Sequence, residues 1–512
     1  MPTRKIFDEP HVAVIEQTSA RALAAPALRI FVAALALRWA YALAMYALLG
    51  DDGLKGGDSV SFAAQAQQFA DAIRGGLVHG SHWLGEASYI AMPLYQWFTA
   101  VSFLLFGGHG AIGNVLLQGV LDSGTCVFVY KIARSLNERL GLPSAIAAIL
   151  NPTQIVLSGL IYTDTSFTFF VALAFCAAVR LSKNPIWTNG ALLGFALGGA
   201  TLIRVSIAPW LFCAIGLLLA SSIWQSKPLR QFAGLTVATA IVCFSLAAIA
   251  IRNHAQYGTF ALSLQGGYHL ALFIVPLAKE TQDRTPFMVT FDQMVERVNQ
   301  RFGPPSVDFP EAKARALDCA VGQCRGLDPF EQSRRYQQIG WEALRDEIKP
   351  SALAESWASG IFINLASPAH LLSPPVSRLP RTGFYGTPGS SFVEKVFNYA
   401  FRSGNAIYSW LLVLGTIGLA VIRGVQAIGL WSLSIERRNW SKLAFAASWI
   451  VFLLLLYGSI ASPKYRLPLE PLFNILTGAG IVTICAWRRR PRTSQEPLLT
   501  AADFRLGVSR SP

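Results

Sequence analysis

The sequence predicts an all-α polytopic membrane protein with about ten transmembrane helices, and three observations predict it. Of 512 residues, 53% are hydrophobic and only 14% are charged, with a mean hydropathy of +0.42. A soluble globule of this size does not carry so little charge. The apolar residues gather in runs that reach or approach the roughly 20 residues a bilayer requires. The Lys and Arg behind the net charge of +14 fall in short clusters between those runs. That is the pattern of cytosolic loops rather than of a nucleic-acid surface.

The elements follow in order. A polar start, Met1 to Arg21 with Arg4 and Lys5, precedes an apolar run at 23–50 and reads as an uncleaved signal anchor with its N-terminus inside. Further spans are expected near 109–133, 143–161, 165–182, 188–204, 205–224, 231–251, 405–424, 443–460 and 469–487. The run from Pro93 to Phe106 is too short to cross comfortably. Were it to span, Lys131, Arg134, Arg139, Lys227 and Arg230 would all lie outside. Laid at the interface or re-entrant, it leaves every basic cluster inside with the N-terminus, and Tyr95, Trp97 and Phe98 suit an interfacial helix. The expected organisation is therefore a cytosolic N-terminus (1–22), an N-terminal transmembrane module (23–251) containing an extracytoplasmic loop (51–108), a modest extracytoplasmic segment (252–404) with helical patterns around 290–300 and 331–359, C-terminal transmembrane helices (405–487) and a cytosolic tail (488–512). No 20–50-residue repeat and no inverted hydropathy symmetry is present.

Against this background a few residues break the membrane rules. Asp58 and Asp164 each stand where an apolar stretch has just left the membrane, both on the expected extracytoplasmic side. An acid at a bilayer rim is costly unless it is used, which makes them the first candidates for chemistry. Arg38 and Asp122 fall mid-way along the first two spans. They are expected to form a structural ion pair, because no third ionisable group continues a proton path. Lys464 and Arg466, flanking Tyr465 in a short outside link, violate the positive-inside rule and could hold an anion such as a lipid phosphate; headgroup snorkelling is the alternative. Arg204 and Arg252 are further cations at the same rim, completing an electropositive funnel.

Five of the seven cysteines (Cys126, Cys176, Cys213, Cys243 and Cys485) lie in or beside apolar runs, as small core residues do. Cys319 and Cys324 could close a local disulfide if their segment faces an oxidising compartment, and otherwise form a free pair. His79, His82 and Glu86 have metal-like spacing, but the Ser and Gly between them weaken a helix and no fourth ligand follows. No metal site is expected. Walker, GxSxG and CxxC motifs are absent, so ATPase, serine hydrolase and thioredoxin-like chemistry lack support.

In this order, a set of motifs resembles the GT-C superfamily of membrane glycosyltransferases: Gly57-Asp58-Ser59, Pro93-Leu94-Tyr95 leading to Phe106-Gly107, Asn151-Pro152 followed by Thr163-Asp164, the glycine-rich span from Gly194 to Arg204, Ile251-Arg252-Asn253 with Gly266-Gly267 downstream, and Lys464-Tyr465-Arg466-Leu467-Pro468. The likeness is to the protein mannosyltransferase and lipid A aminoarabinose transferase branch, glycosyltransferase family 39, over roughly 25–275 and 400–487. It implies a GT-C-like bundle and a hexosyl or pentosyl transfer from a polyprenyl-phosphate sugar on the extracytoplasmic face. It also implies Asp58 as base, Asp164 as a second acid, and Arg252, Lys464 and Arg466 as phosphate ligands. The chain departs from the pattern at Phe62 (often Tyr), Ser59 (a second acid in protein mannosyltransferases) and Asp164 (often Glu). These departures count against a protein acceptor and against a two-carboxylate metal site.

The chemistry is coherent on its own terms. Displacing a lipid phosphate from an anomeric carbon needs a carboxylate to take the acceptor proton, while cations serve the leaving phosphate. One acting carboxylate and a direct displacement give inversion. A monophosphate donor clamped by Arg and Lys calls for no cofactor, although a divalent metal is not excluded. The expected partners are the bilayer, the polyprenyl-phosphate sugar and a glycan, lipid or protein acceptor, with no nucleic acid, in a bacterial inner membrane. The alternatives are a transporter or flippase of a lipid-linked sugar, which would line a mid-membrane path with ionisable groups, and a non-catalytic scaffold.

Overall fold

The computed structural model describes residues 9–76, 92–224, 228–303 and 329–489, and every regular element among them is helical. The chain is an integral multi-pass membrane protein. Seven described helical segments are long and apolar enough to cross a bilayer, or eight when a pair bent by 49° at residues 150–151 is taken as one span; two shorter apolar helices, Trp187–Ile203 and Val205–Ala220, complete the set. The ten apolar runs of the sequence fall on these elements.

The helices that position the site are α1 (Glu9–Leu49), α2 (Ser59–Arg74), α3 (Pro93–Phe106), α4 (Gly110–Leu136), α5 (Gly141–Ile149), α6 (Pro152–Ser158), α7 (Thr163–Lys183), α8 (Trp187–Ile203), α9 (Ala208–Trp224) and α10 (Pro228–Tyr257). Next, α11 (Gln265–His269) runs through a π-helical turn, Leu270–Ile274, into α12 (Val275–Asp283). Then come α13 (Phe287–Phe302), α14 (Pro329–Asp346), α15 (Pro350–Ala366), α16 (Phe392–Phe401), α17 (Ala406–Ser434), α18 (Trp440–Tyr457) and α19 (Glu470–Arg489).

The short run from Pro93 is one arm of a hairpin. The Tyr95 hydroxyl donates to Gln118 Oε1 at 3.0 Å, although 23 residues separate the two. Along one continuous helix they would be about 34 Å apart, so α3 must fold back on α4. The turn is Gly107 to His109, with Gly107 at φ +56°, and α2 covers α3 through Phe62 against Tyr95 and Phe69 against Trp97. Elsewhere, small residues let helix backbones close up. A Cβ at Gly190 of α8 would overlap the carbonyl of Gly234 in α10, and one at Gly194 would crowd Ala238. Such a small-residue seam is how helices associate when lipid supplies no hydrophobic drive. Outside the spans, α13 and α14 close over the π-turn through Leu272, Val275, Met294, Val298, Tyr336 and Ile339.

Beneath the rim runs a chain of buried polar groups. Arg38 Nε of α1 donates to Asp122 Oδ2 of α4 at 2.8 Å, and both side chains are fully enclosed. The remaining guanidinium nitrogens donate to the Ala148 and Ile149 carbonyls, closing the C-terminus of α5 with a cation. The chain then breaks at Asn151, whose Oδ1 caps α6 by accepting from the N–H groups of Thr153 and Gln154, with Pro152 at the first helical position. Gln154 donates to Asp122 Oδ1 at 2.9 Å and accepts from Asn474 at 2.7 Å, while Asn151 donates to Glu470 at 2.8 Å. With Arg466 Nε donating to Glu470 at 2.7 Å, α1, α4, α6 and α19 are joined by one network carrying two positive and two negative groups.

Asp122→Asn strands the Arg38 charge and should cost about 3–5 kcal/mol, measured by unfolding in mixed micelles. Exchanging the two residues should recover part of that loss; a double exchange no more stable than either single change would show the pair is not coupled.

Candidate active site

Two loops bring the first acid to the second. The Tyr162 hydroxyl donates to the Gly56 carbonyl, and the Ile161 N–H donates to the Leu54 carbonyl at 3.1 Å. Gly57 sits at φ +50°, and a Cβ there would press on the Tyr162 hydroxyl at 3.0 Å. Glycine is therefore required twice over, by conformation and by approach. Asp58 follows immediately at the N-terminus of α2, yet it makes no side-chain cap. Instead it accepts a hydrogen bond from Lys464 Nζ at 2.7 Å, with its own side chain 61% exposed and that of Lys464 17% exposed.

Asp164 is the opposite case. It occupies the first turn of α7, where the helix dipole favours a negative charge, and its side chain is 2% exposed. Arg204, in extended backbone just past α8, donates to Asp164 Oδ2 at 2.7 Å and to Thr163 Oγ1 at 2.8 Å. Asp164 Oδ1 is buried without a hydrogen-bond partner among the described residues. The two pairs share one aromatic frame. Lys464 Nζ lies 5.4 Å from the Tyr162 ring centre and 5.2 Å from that of Tyr465, and Tyr465 stacks on Tyr457 at 4.5 Å. The Tyr457 hydroxyl faces Arg204 at 3.5 Å. One exposed carboxylate, one buried carboxylate and two cations thus meet at one end of the bundle, with no net formal charge.

Of the expected rim cations, Lys464 and Arg204 reach this cluster and Arg466 does not. Residues Pro463–Leu469 form a 3-10 helix, in which successive side chains point about 120° apart. Lys464 turns to Asp58, Tyr465 to Tyr457, and Arg466 turns down into the buried network. There Arg466 Nε donates to Glu470 at 2.7 Å, and the other guanidinium nitrogens donate to Thr153 and to the carbonyls of Asn364, Leu365 and Ser367. With each guanidinium nitrogen so engaged, Arg466 is held in the buried network and turned away from the Asp58–Lys464 pair. Arg252 is buried in the last turns of α10. Cys319, Cys324, His79, His82 and Glu86 lie outside the described residues. Among the described residues, no group of three or more His, Cys, Asp or Glu side chains could hold a metal ion.

His269, which the sequence did not single out, lies near enough to the cluster to feel its charges. It ends α11 at the start of the π-turn, a feature that recurs at functional sites. Burial, then the positive charges of Lys464 and Arg204, push its imidazole below the ordinary value, with Asp58 opposing. The only textual signal was the Gly266-Gly267 pair three residues earlier.

Residues 91–249 match the model of the dolichyl-phosphate-mannose-protein mannosyltransferase family, a stretch that contains α3 to α9 and both Asp164 and Arg204. No curated protein matches the chain. Among solved structures, ArnT from Cupriavidus metallidurans in the apo state aligns at 15% identity over 88% of this chain and 77% of that one, with a TM-score of 0.34. The same protein bound to undecaprenyl phosphate gives 15%, 90%, 78% and 0.34. The archaeal oligosaccharyltransferase AglB from Archaeoglobus fulgidus, in complex with an inhibitory peptide and a dolichol-phosphate, gives 11%, 91%, 52% and 0.45, so this chain spans about half of its length. The resemblance to GT-C glycosyltransferases expected from the motifs is thus also found by the family model.

Two outcomes follow. Arg466→Ala leaves Glu470 buried and uncompensated, and should destabilise the protein by about 3–5 kcal/mol; normal unfolding with weakened lipid-phosphate binding would return Arg466 to the site. For His269, the folded pKa lies below the unfolded value near 6.5, so in that window the unfolded chain binds more protons and stability falls as pH drops below about 6.5. His269→Asn should remove part of this loss, and identical pH profiles of unfolding between pH 5 and 7 would refute it.

Proposed function

We propose that this chain is a glycosyltransferase that moves a sugar from a polyprenyl-phosphate carrier to an acceptor hydroxyl on the extracytoplasmic face, with inversion at the sugar carbon. One observation carries the reading: an exposed carboxylate, Asp58, lies 2.7 Å from a cation, Lys464, beside a buried carboxylate held by a second cation, Arg204. Asp58 takes the acceptor proton, the acceptor oxygen attacks the anomeric carbon, and the carbon–oxygen bond to phosphate breaks. Polyprenyl phosphate leaves with its new charge facing Lys464 and Arg204. Asp164 orients Arg204 and offers its second oxygen to a sugar hydroxyl.

The free-state pairing has a chemical use. While Lys464 holds Asp58, the carboxylate is a weak base. A donor phosphate competes for the ammonium and frees Asp58 to accept a proton, so the base is strengthened only when the leaving group is in place. A monophosphate donor held by two cations requires no metal in this scheme.

The arrangement of basic clusters supports cytosolic termini and a site on the opposite face of a bacterial inner membrane. On this reading 23–251 and 405–487 form the membrane module, and 252–404 lies over its outer rim.

The test is turnover of radiolabelled polyprenyl-phosphate sugars by the full chain in nanodiscs. Asp58→Asn should lower transfer by about 10²–10⁴-fold while folding is kept. Retained turnover would remove Asp58 as base. Lipid-linked sugar crossing a vesicle bilayer without any transfer would replace the enzyme with a transporter.

A further inference from the structure

Beside the two carboxylate–cation pairs lies a concavity that the proposed step does not use. It measures about 380 Å³ and is bounded by α12, α15 and residues 384–395, with Ser459 and Ala461 on its inner wall. That volume falls in the range of small-molecule sites. The wall is held close where α15 meets the 458–462 link, since a Cβ at Gly360 would overlap the Gly458 carbonyl. Asn364 pins the same link, accepting from the Ser462 N–H at 2.7 Å.

The lining has a particular chemistry. Lys395 Nζ meets Glu280 Oε1 at 2.6 Å, with the side chains 9% and 20% exposed. The ammonium also stands 4.9 Å from the Phe384 ring centre. Tyr385 lines the same space, stacked on Phe287 at 4.8 Å. Its hydroxyl meets the backbone of Ala461, three residues from Lys464, and it feels the charges of Glu280 and Lys464. The cavity therefore shares a wall with the carboxylate–cation cluster. Arg284 and Glu355 also border it, so its charged side chains balance.

We infer that this cavity holds the acceptor, and that the acceptor is a neutral sugar unit of a glycan. The inference rests on the glycosyltransferase reading and names its second substrate. A pyranose presents an apolar C–H face, which suits Phe384 and Tyr385, and an edge of neighbouring hydroxyls. A carboxylate and an ammonium side by side supply one acceptor and several donors to such an edge. Balanced charge gives no advantage to a phosphorylated or acidic ligand. An acyl chain would leave a largely buried ion pair idle, which is costly to maintain. A sugar seated here lies against Tyr385, which feels the same Lys464 ammonium that holds Asp58.

The experiment is saturation-transfer NMR on the full chain in nanodiscs, titrated with free neutral hexoses, pentoses, N-acetylhexosamines and their disaccharides, without donor. At least one sugar should receive saturation on its ring protons. Two variants, Glu280→Gln/Lys395→Met and Phe384→Leu, should each weaken that sugar's binding about tenfold or more, while thermal unfolding stays close to wild type. Saturation of no sugar overturns the inference, as does saturation that neither variant changes. Binding is read without turnover, so the two readings fail separately. Absent transfer with sugar bound here sinks only the enzyme assignment. Transfer by a chain that binds no sugar in this cavity sinks only the acceptor assignment.

Discussion

The rest of the structure depends on a constraint met below the rim: polar groups inside a lipid-dissolved bundle must satisfy one another. Arg38, Asp122, Gln154, Asn474, Asn151, Glu470 and Arg466 form one connected chain across α1, α4, α6 and α19. Each member alone would be costly at that depth; connected, they specify which helices are neighbours and at what register. The bend between α5 and α6 belongs to the same solution, because Arg38 closes one helix and Asn151 opens the next. The loop after α6 then arrives at Tyr162, where it can grip Gly56 and place Asp164 beside Asp58.

Much of this was legible beforehand. Spans follow from hydropathy, and Asp58, Asp164 and Lys464 stood out because ionisable residues at a membrane edge are rare. Arg38 and Asp122 stood out for the same reason, and they lie 2.8 Å apart. The parting of Arg466 from Lys464 was not legible: a 3-10 turn separates adjacent side chains by about 120°, and nothing in the sequence announces that turn over an α-helical or extended one. Glu470, its partner, reads as an ordinary first-turn acid until the fold encloses it. His269 was missed because a π-turn has no composition signature, and Glu280 with Lys395 because 115 residues separate them.

The two acids illustrate how environment divides labour between like groups. Asp164 is enclosed, dipole-stabilised and bound by a guanidinium whose planar fork also engages Thr163. Asp58 is open to solvent and bound by a single flexible ammonium. The first arrangement is suited to holding a geometry; the second can be undone by a competing anion. In the proposed function, proton transfer falls to the group whose partner can be drawn away.

The 3-10 turn that splits Lys464 from Arg466 also decides which side of the site is able to move. Rotating that turn to release Lys464 would drag Arg466 out of five hydrogen bonds to Glu470, Thr153 and three carbonyls. The Asp58 side is tethered through Tyr162 to Gly56, Ile161 to Leu54 and Arg378 to the Asp52 carbonyl. Lys464 is therefore the anvil of the pair, and the loop before α2 carries its joint at Gly57, where φ is +50°. In the proposed function, an opening that admits a lipid headgroup falls to that loop rather than to the turn beneath.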